Sequence, residues 1–191
     1  MILLDTSGLL AALDVSQNWH GQAAETLAGA SPPRLLSPFV LAELDYLLAA
    51  RVGEAARTSL LHEVERGVYT LAPMSGADVG LARRIIEQHA DLGISLADAS
   101  IVVLAERHGL VDVLALDQRH FRVLESQGRP FRALPAPPDL LPRSAARRSR
   151  ARRGVLPDPA AKRVPNPVAV GVRIDGSAGL ITVIGTVGAA G

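Results

Sequence analysis

Cysteine is absent from the 191 residues, so disulfides, thiolate metal sites and cysteine nucleophiles are excluded, and any metal must be held by oxygen or imidazole. Lysine occurs once, at Lys162, against nineteen arginines. Aromatic residues make up only 3% of the chain, too few for the stacking platforms that grip single-stranded nucleic acid. No apolar run reaches the roughly 20 residues that a membrane-spanning helix needs. The opening Met1-Ile2-Leu3-Leu4-Asp5 has no basic stretch and places a carboxylate at the fifth position. It does not read as a secretory signal, and the expectation is a cytoplasmic chain. Neither Gly-x-Gly-x-x-Gly nor a phosphate-loop sequence occurs, so nucleotide cofactors find no support.

What is present is unevenly distributed. With 48% hydrophobic and 20% charged residues the chain has the composition of a globular domain, and its net charge is +1. That figure averages two unlike segments: residues 1–140 hold 11 Arg against 17 Asp and Glu, a balance of −6, while residues 141–191 hold nine basic and two acidic residues, a balance of +7. Eight of the 13 prolines fall between Pro135 and Pro167, where neither helix nor paired strand is sustained. The expected organisation is a compact domain over 1–140 and a basic, Pro/Gly-rich extension over 141–191 that is disordered or weakly structured. Within the extension, Arg143, Arg147, Arg148, Arg150, Arg152 and Arg153 form a cluster suited to phosphate backbones or to a solvated linker. Further on, Val168, Val170, Val172 and Ile174 alternate before Asp175-Gly176, and residues 180–187 are again apolar, which is a hairpin pattern.

Over the first 140 residues short apolar runs alternate with helical stripes, as in strands joined by crossover helices. The runs are Ile2-Leu3-Leu4, Leu35-Leu36, Tyr69-Thr70-Leu71, Val113-Leu114-Ala115-Leu116 and, more weakly, Phe131-Arg132-Ala133-Leu134. The helices are expected over Phe39 to Ala50, Gly53 to Arg66, Val79 to His89 and Ala99 to Arg107, three of them announced by Ser37-Pro38, Ser75-Gly76-Ala77-Asp78 and Ser95-Leu96-Ala97-Asp98. The fold class is therefore α/β, three layers, with a parallel sheet of four to five strands between helices.

In open parallel sheets function gathers at the carboxyl ends of the strands. Asp5 directly follows the first run and Asp117 directly follows the fourth. Glu43 lies at the edge of the apolar stripe Val40, Leu44, Leu47, Leu48, and Asp98 stands three residues before Ile101 and four before Val102, on an inward stripe. Each acid also has a structural use: Asp98 in a capping box with Ser95, Asp117 as the cap of a helix starting at Gln118, Asp5 in an Asx turn, Glu43 half exposed. Taken together, four acids with no lysine and few arginines to neutralise them form a cluster that a cation stabilises best. An all-oxygen set without paired histidines points to Mg²⁺ or Mn²⁺ rather than zinc. Such a cation would acidify a water and polarise a phosphoryl oxygen.

Asp5-Thr6-Ser7, Ser37-Pro38-Phe39-Val40-Leu41-Ala42-Glu43-Leu44, Leu96-Ala97-Asp98-Ala99-Ser100-Ile101 and Asp117-Gln118-Arg119-His120-Phe121, in that order, resemble the successive motifs of PIN-domain ribonucleases, in particular the VapC toxins of bacterial toxin-antitoxin pairs. The resemblance spans roughly residues 1–134. It implies an endoribonuclease dependent on Mg²⁺ or Mn²⁺ that acts on RNA, slows translation when released, forms a homodimer and is silenced by a small VapB-like antitoxin. It implies Asp5 and Asp98 as metal ligands, Glu43 and Asp117 as the rest of an acidic quartet, and a hydroxyl from Thr6 or Ser7 beside the metal. One departure stands out: many relatives carry a hydroxyl residue two positions before the fourth acid, where this chain has Ala115.

Rival readings fail on particular residues. A haloacid-dehalogenase-like phosphatase wants a second aspartate two residues after the first, where Ser7 stands, and it and a receiver-type module both want a core lysine, whereas Lys162 lies in the extension. His20, His62, His89 and His108 form no pair at the spacing of a zinc hydrolase, and Gly93-Ile94-Ser95-Leu96-Ala97 lacks the last glycine of a nucleophile elbow. His120 reads as a helix-surface residue and Phe121 as a core contact. The alternative that stays open is a PIN-like module that binds RNA or a protein without cutting.

Overall fold

In the computed structural model, residues 1–136 are described in full and, beyond them, only the backbone of residues 171–175 and 180–184. The expected boundary near residue 140, the Pro-rich stretch and the arginine cluster lie outside the described residues. Strand β1 (Ile2–Leu4) leads into α1 (Thr6–Leu13) and α2 (His20–Gly29), then β2 (Arg34–Leu36), α3 (Pro38–Arg51) and α4 (Glu54–Glu65). Strand β3 (Thr70–Leu71) precedes α5 (Gly76–Gln88) and α6 (Leu96–His108), followed by β4 (Asp112–Leu114), the short pair β5 (Glu125–Ser126) and β6 (Arg129–Pro130), and β7 (Arg132–Leu134).

The main sheet has five parallel strands in the order β3-β2-β1-β4-β7. Every residue of β1 is buried, so helices cover both faces of the sheet, and its Leu3 is paired with Leu35 on one side and Val113 on the other. The chain builds outward from β1 to β3 and then returns to place β4 on the opposite side of β1. The strand order thus reverses between β1 and β4, the place where open α/β sheets leave a crevice beyond the strand ends. In the extension, β8 (Gly171–Asp175) and β9 (Leu180–Ile184) pair antiparallel, with Gly171 opposite Ile184.

Local chemistry explains the element starts. Ser37 caps α3 by accepting from Phe39 N, with Pro38 in the first turn, where its missing N–H costs nothing. The same Ser37 hydroxyl lies 2.6 Å from Ser100 Oγ, both buried, and this bond ties the start of α3 to α6. Helix α1 crosses β4 so closely that a Cβ on Gly8 would meet Leu114 O at 2.3 Å, so only glycine allows the approach. That contact brings the first turn of α1 against the end of β4.

The structure departs from the sequence reading at α1, at α2, after Asp117, and in the short antiparallel pair β5–β6. Helices α1 and α2 were not anticipated, because α1 is buried on nearly every side and shows no apolar stripe, and α2 begins at His20 without a side-chain cap. No helix starts at Gln118; residues 119–123 form a turn, with Arg122 N on Gln118 O and Leu124 N on His120 O. Phe121 is a core residue as expected, packed edge-on to Phe131 at 5.5 Å between ring centroids.

Candidate active site

A cleft of about 340 Å³ opens at the carboxyl ends of β1 and β4, and Asp5, Glu43, Asp98 and Asp117 all line it, beside Thr6, Ser7, Arg51 and His120. The four acids differ sharply in surroundings. Asp5 caps α1, its Oδ2 accepting from Ser7 N at 3.0 Å and Ser7 Oγ at 2.5 Å, and it is only 6% exposed. Burial, reinforced by the facing charge of Asp98 and opposed by the Ser7 hydroxyl, pushes its carboxyl up to about 6. Asp98 is the third residue of α6, with a side chain 15% exposed. Its Oδ2 accepts from Ser95 N and Ser95 Oγ, each at 2.8 Å, and His120 Nδ1 lies 3.3 Å from the same oxygen.

Glu43 stands on the exposed side of α3, fixed by a 2.8 Å hydrogen bond from the buried Thr6 hydroxyl. Asp117 is 44% exposed and holds Arg119 with both oxygens, Nε on Oδ1 at 2.9 Å and Nη2 on Oδ2 at 2.6 Å. The guanidinium keeps the Asp117 carboxyl below the usual carboxylate range. The expectation of four unneutralised acids therefore needs correction: the pair Asp5 and Asp98 meets no arginine among the described residues, whereas Asp117 has one. Ser7 joins the two halves of the site, since its Oγ accepts from Leu116 N and Asp117 N, each at 3.0 Å, while donating to Asp5. Ala115, where a hydroxyl was noted as missing, is wholly buried.

Among the described residues no three carboxylate or imidazole groups converge into a ready-made cation cage. The donor set nonetheless suits a hard divalent cation. Asp5 is a buried carboxylate facing a second carboxylate, a charge arrangement that a cation relieves, and magnesium in particular is held by one or two carboxylates while keeping several waters. Two lining residues escaped the sequence reading. His120 faces the cleft rather than solvent because the chain turns at 119–123 instead of entering a helix. Arg51 shares a helical stripe with Glu43 and Leu47, at intervals of four residues, a spacing that was there to be seen.

The fold is a parallel α/β sheet with two facing acids beside the point where its strand order reverses, and comparison gives its family. The PIN domain family profile matches residues 2–125, and the chain belongs to that family. Ribonuclease VapC26 of Mycobacterium tuberculosis is 39% identical over 127 residues, 66% of this chain and 94% of the relative. The crystal structure of Mycobacterium tuberculosis VapC20, described as a sarcin-ricin loop cleaving toxin, matches with a TM-score of 0.62 at 23% identity, over 68% of this chain and 100% of that one; this likeness concerns the fold.

Proposed function

We propose that this chain is a metal-dependent endoribonuclease toxin that hydrolyses RNA phosphodiesters, works with Mg²⁺ or Mn²⁺, and is neutralised by a small antitoxin protein. The observation that carries the reading is the facing pair of Asp5 and Asp98, buried and half-buried, in a cleft at the reversal of strand order. A relative at 39% identity is a ribonuclease, and the four acids of the family-like motifs, Asp5, Glu43, Asp98 and Asp117, line the cleft. Asp5 and Asp98 are the metal ligands in this reading. The cation, when bound, supplies polarisation of the phosphoryl oxygen and acidification of water. Glu43, steadied by Thr6, orients the attacking water and takes its proton as the phosphorus–oxygen bond to the leaving strand breaks. Asp117 serves at the rim of the cleft, held there by the Arg119 guanidinium. Ser7 holds Asp5 in its rotamer and fixes the loop that carries Asp117.

No helix among the described residues is long and apolar enough to cross a membrane. The chain's partners in this reading are the antitoxin and a second copy of itself. The reading is tested by incubating the purified full chain with total cellular RNA, with added Mg²⁺ or Mn²⁺ and with EDTA. Discrete fragments are expected with metal alone. Wild type that binds RNA but leaves it intact with metal present would instead establish the non-cutting, RNA-binding module.

A further inference from the structure

Helix α3 presents Glu43, Leu47 and Arg51 to the cleft, one turn apart. With a rise of 1.5 Å per residue, Arg51 lies about 12 Å along the helix from Glu43. A cation in the last turn of a helix is already favoured by the carbonyls there, and Arg51 occupies that position. That account does not explain its place on the cleft wall. Arg57, Arg66, Arg83, Arg107, Arg119 and Arg132 are paired with carboxylates, and although Arg84 and Arg122 take none, Arg51 is the one arginine among the described residues that lines the cleft. Arg51 is exposed and takes no carboxylate or carbonyl partner among the described residues. Residues 1–140 carry a balance of −6 and no lysine, so a polyanion entering an acid-lined cleft meets few cations.

We propose that Arg51 is a substrate-positioning residue that binds a phosphate flanking the scissile one. The RNA strand then runs along α3, its cut linkage at Asp5 and Asp98 and a neighbouring linkage at Arg51. A guanidinium suits this task because it grips two phosphate oxygens at once and stays charged at every working pH. The inference rests on the ribonuclease reading and extends it to how the strand is laid.

The test uses the full chain and a short single-stranded RNA spanning the cut site mapped with wild type. Arg51→Ala is expected to raise KM about tenfold with kcat changed less than about twofold, and to flatten the salt dependence of log Kd by about 0.7, the share of one phosphate contact on a single strand. Arg51→Lys, which keeps the charge but not the two-pronged grip, should restore the salt dependence and recover only part of the KM. Binding of Mn²⁺ alone and the melting temperature should match wild type in both variants. In a series of RNAs with one methylphosphonate linkage each, one flanking position should weaken wild type and leave Arg51→Ala indifferent. Unchanged KM and salt slope in Arg51→Ala, beside an active wild type, would overturn the assignment of Arg51 alone. Loss of kcat without change in KM would overturn it as well. A wild type that cuts no RNA would overturn the ribonuclease reading and this inference together.

Discussion

The first turns of α5 and α6 are built from the same four-residue pattern, Ser-x-Ala-Asp, and meet different surroundings. Ser75 and Ser95 occupy the N-cap with nearly identical backbone angles, φ −93°, ψ 170° and φ −82°, ψ 171°. In both, the aspartate three residues on returns its Oδ2 to the serine amide and hydroxyl, at 2.7 Å and 2.7 Å for Asp78 and at 2.8 Å and 2.8 Å for Asp98. The remaining oxygen makes the difference. Asp78 Oδ1 accepts from Arg107, and with the Ser75 amide this holds its carboxyl down at about 2. Asp98 Oδ1 accepts no hydrogen bond among the described residues; His120 stands beside its Oδ2, and its charge bears on the buried Asp5. A capping role and a ligand role are therefore compatible, because the cap uses one oxygen and leaves the other.

Neutralising each twin gives the sharpest separation. Asp98→Asn keeps the cap acceptor, removes the charge and is expected to lower metal-dependent RNA cleavage by at least about 100-fold, since even outer-shell changes at metal sites cost 10- to 100-fold. Asp78→Asn is expected to cleave within about twofold of wild type. Initial rates on the same RNA preparation, with circular dichroism to confirm folding, check both. Equal loss in the two variants would mean that the box matters only as a helix start.

The second test concerns Asp5, which Asp98 faces. A carboxyl raised from 3.8 to about 6 in the folded state binds its proton more tightly there than in the unfolded chain. Stability contributed by that proton is present below about pH 4 and is lost as pH rises through about 6, a difference of about 3 kcal/mol at neutral pH. Asp5→Asn retains an acceptor for Ser7 and carries no charge, so in EDTA its melting temperature should exceed that of wild type by several degrees at pH 7. The gap should close as pH falls toward 4. Mn²⁺ should raise the wild-type melting temperature and leave Asp5→Asn unchanged, because the cation stabilises only the state that binds it. A pH-independent gap between the two proteins would show that Asp5 is not the strained group.

How much of this was readable beforehand follows the same division between local and distant causes. The five strands of the main sheet and the later four helices are readable because runs such as Ile2-Leu3-Leu4 and starts such as Ser37-Pro38 are local signals that burial then reinforces, whereas the short pair β5–β6 has no such run. Helix α1 is not readable, since Thr6–Leu13 is buried nearly all round and lacks the stripe that separates helix from strand. At the site, the placement of Asp5 after β1 and of Asp98 in α6 follows from adjacent residues. The contact of Thr6 with Glu43, 37 residues on, and of Ser7 with the Asp117 amide, 110 residues on, depends on how α1 lies against α3 and β4. No spacing rule conveys that. The ion pair of Asp117 with Arg119 hid for a different reason: it forms across a turn where a helix was expected, and a helix would have pointed the two side chains apart.

The smallest expected effect divides the two boxes by removing the cap itself. Ser75→Ala and Ser95→Ala each delete the hydroxyl that bonds the third-residue amide and the aspartate Oδ2, at a cost of about 1 kcal/mol and a fall of roughly 3 °C in melting temperature. On stability the two variants should be indistinguishable. On cleavage they should part, because Ser95 alone steadies a carboxylate that faces the cleft. With the hydroxyl gone, Asp98 keeps the Ser95 amide but gains rotational freedom beside Asp5, and activity should fall about three- to tenfold, mostly as weaker metal affinity, the lower range for an outer-shell change. Raising Mn²⁺ should restore most of the Ser95→Ala rate. Ser75→Ala should need no such rescue, since Arg107 continues to hold Asp78 and neither residue lines the cleft. Equal rates in both variants at limiting Mn²⁺ would place the orientation of Asp98 under the control of the backbone amide and His120 rather than the Ser95 hydroxyl.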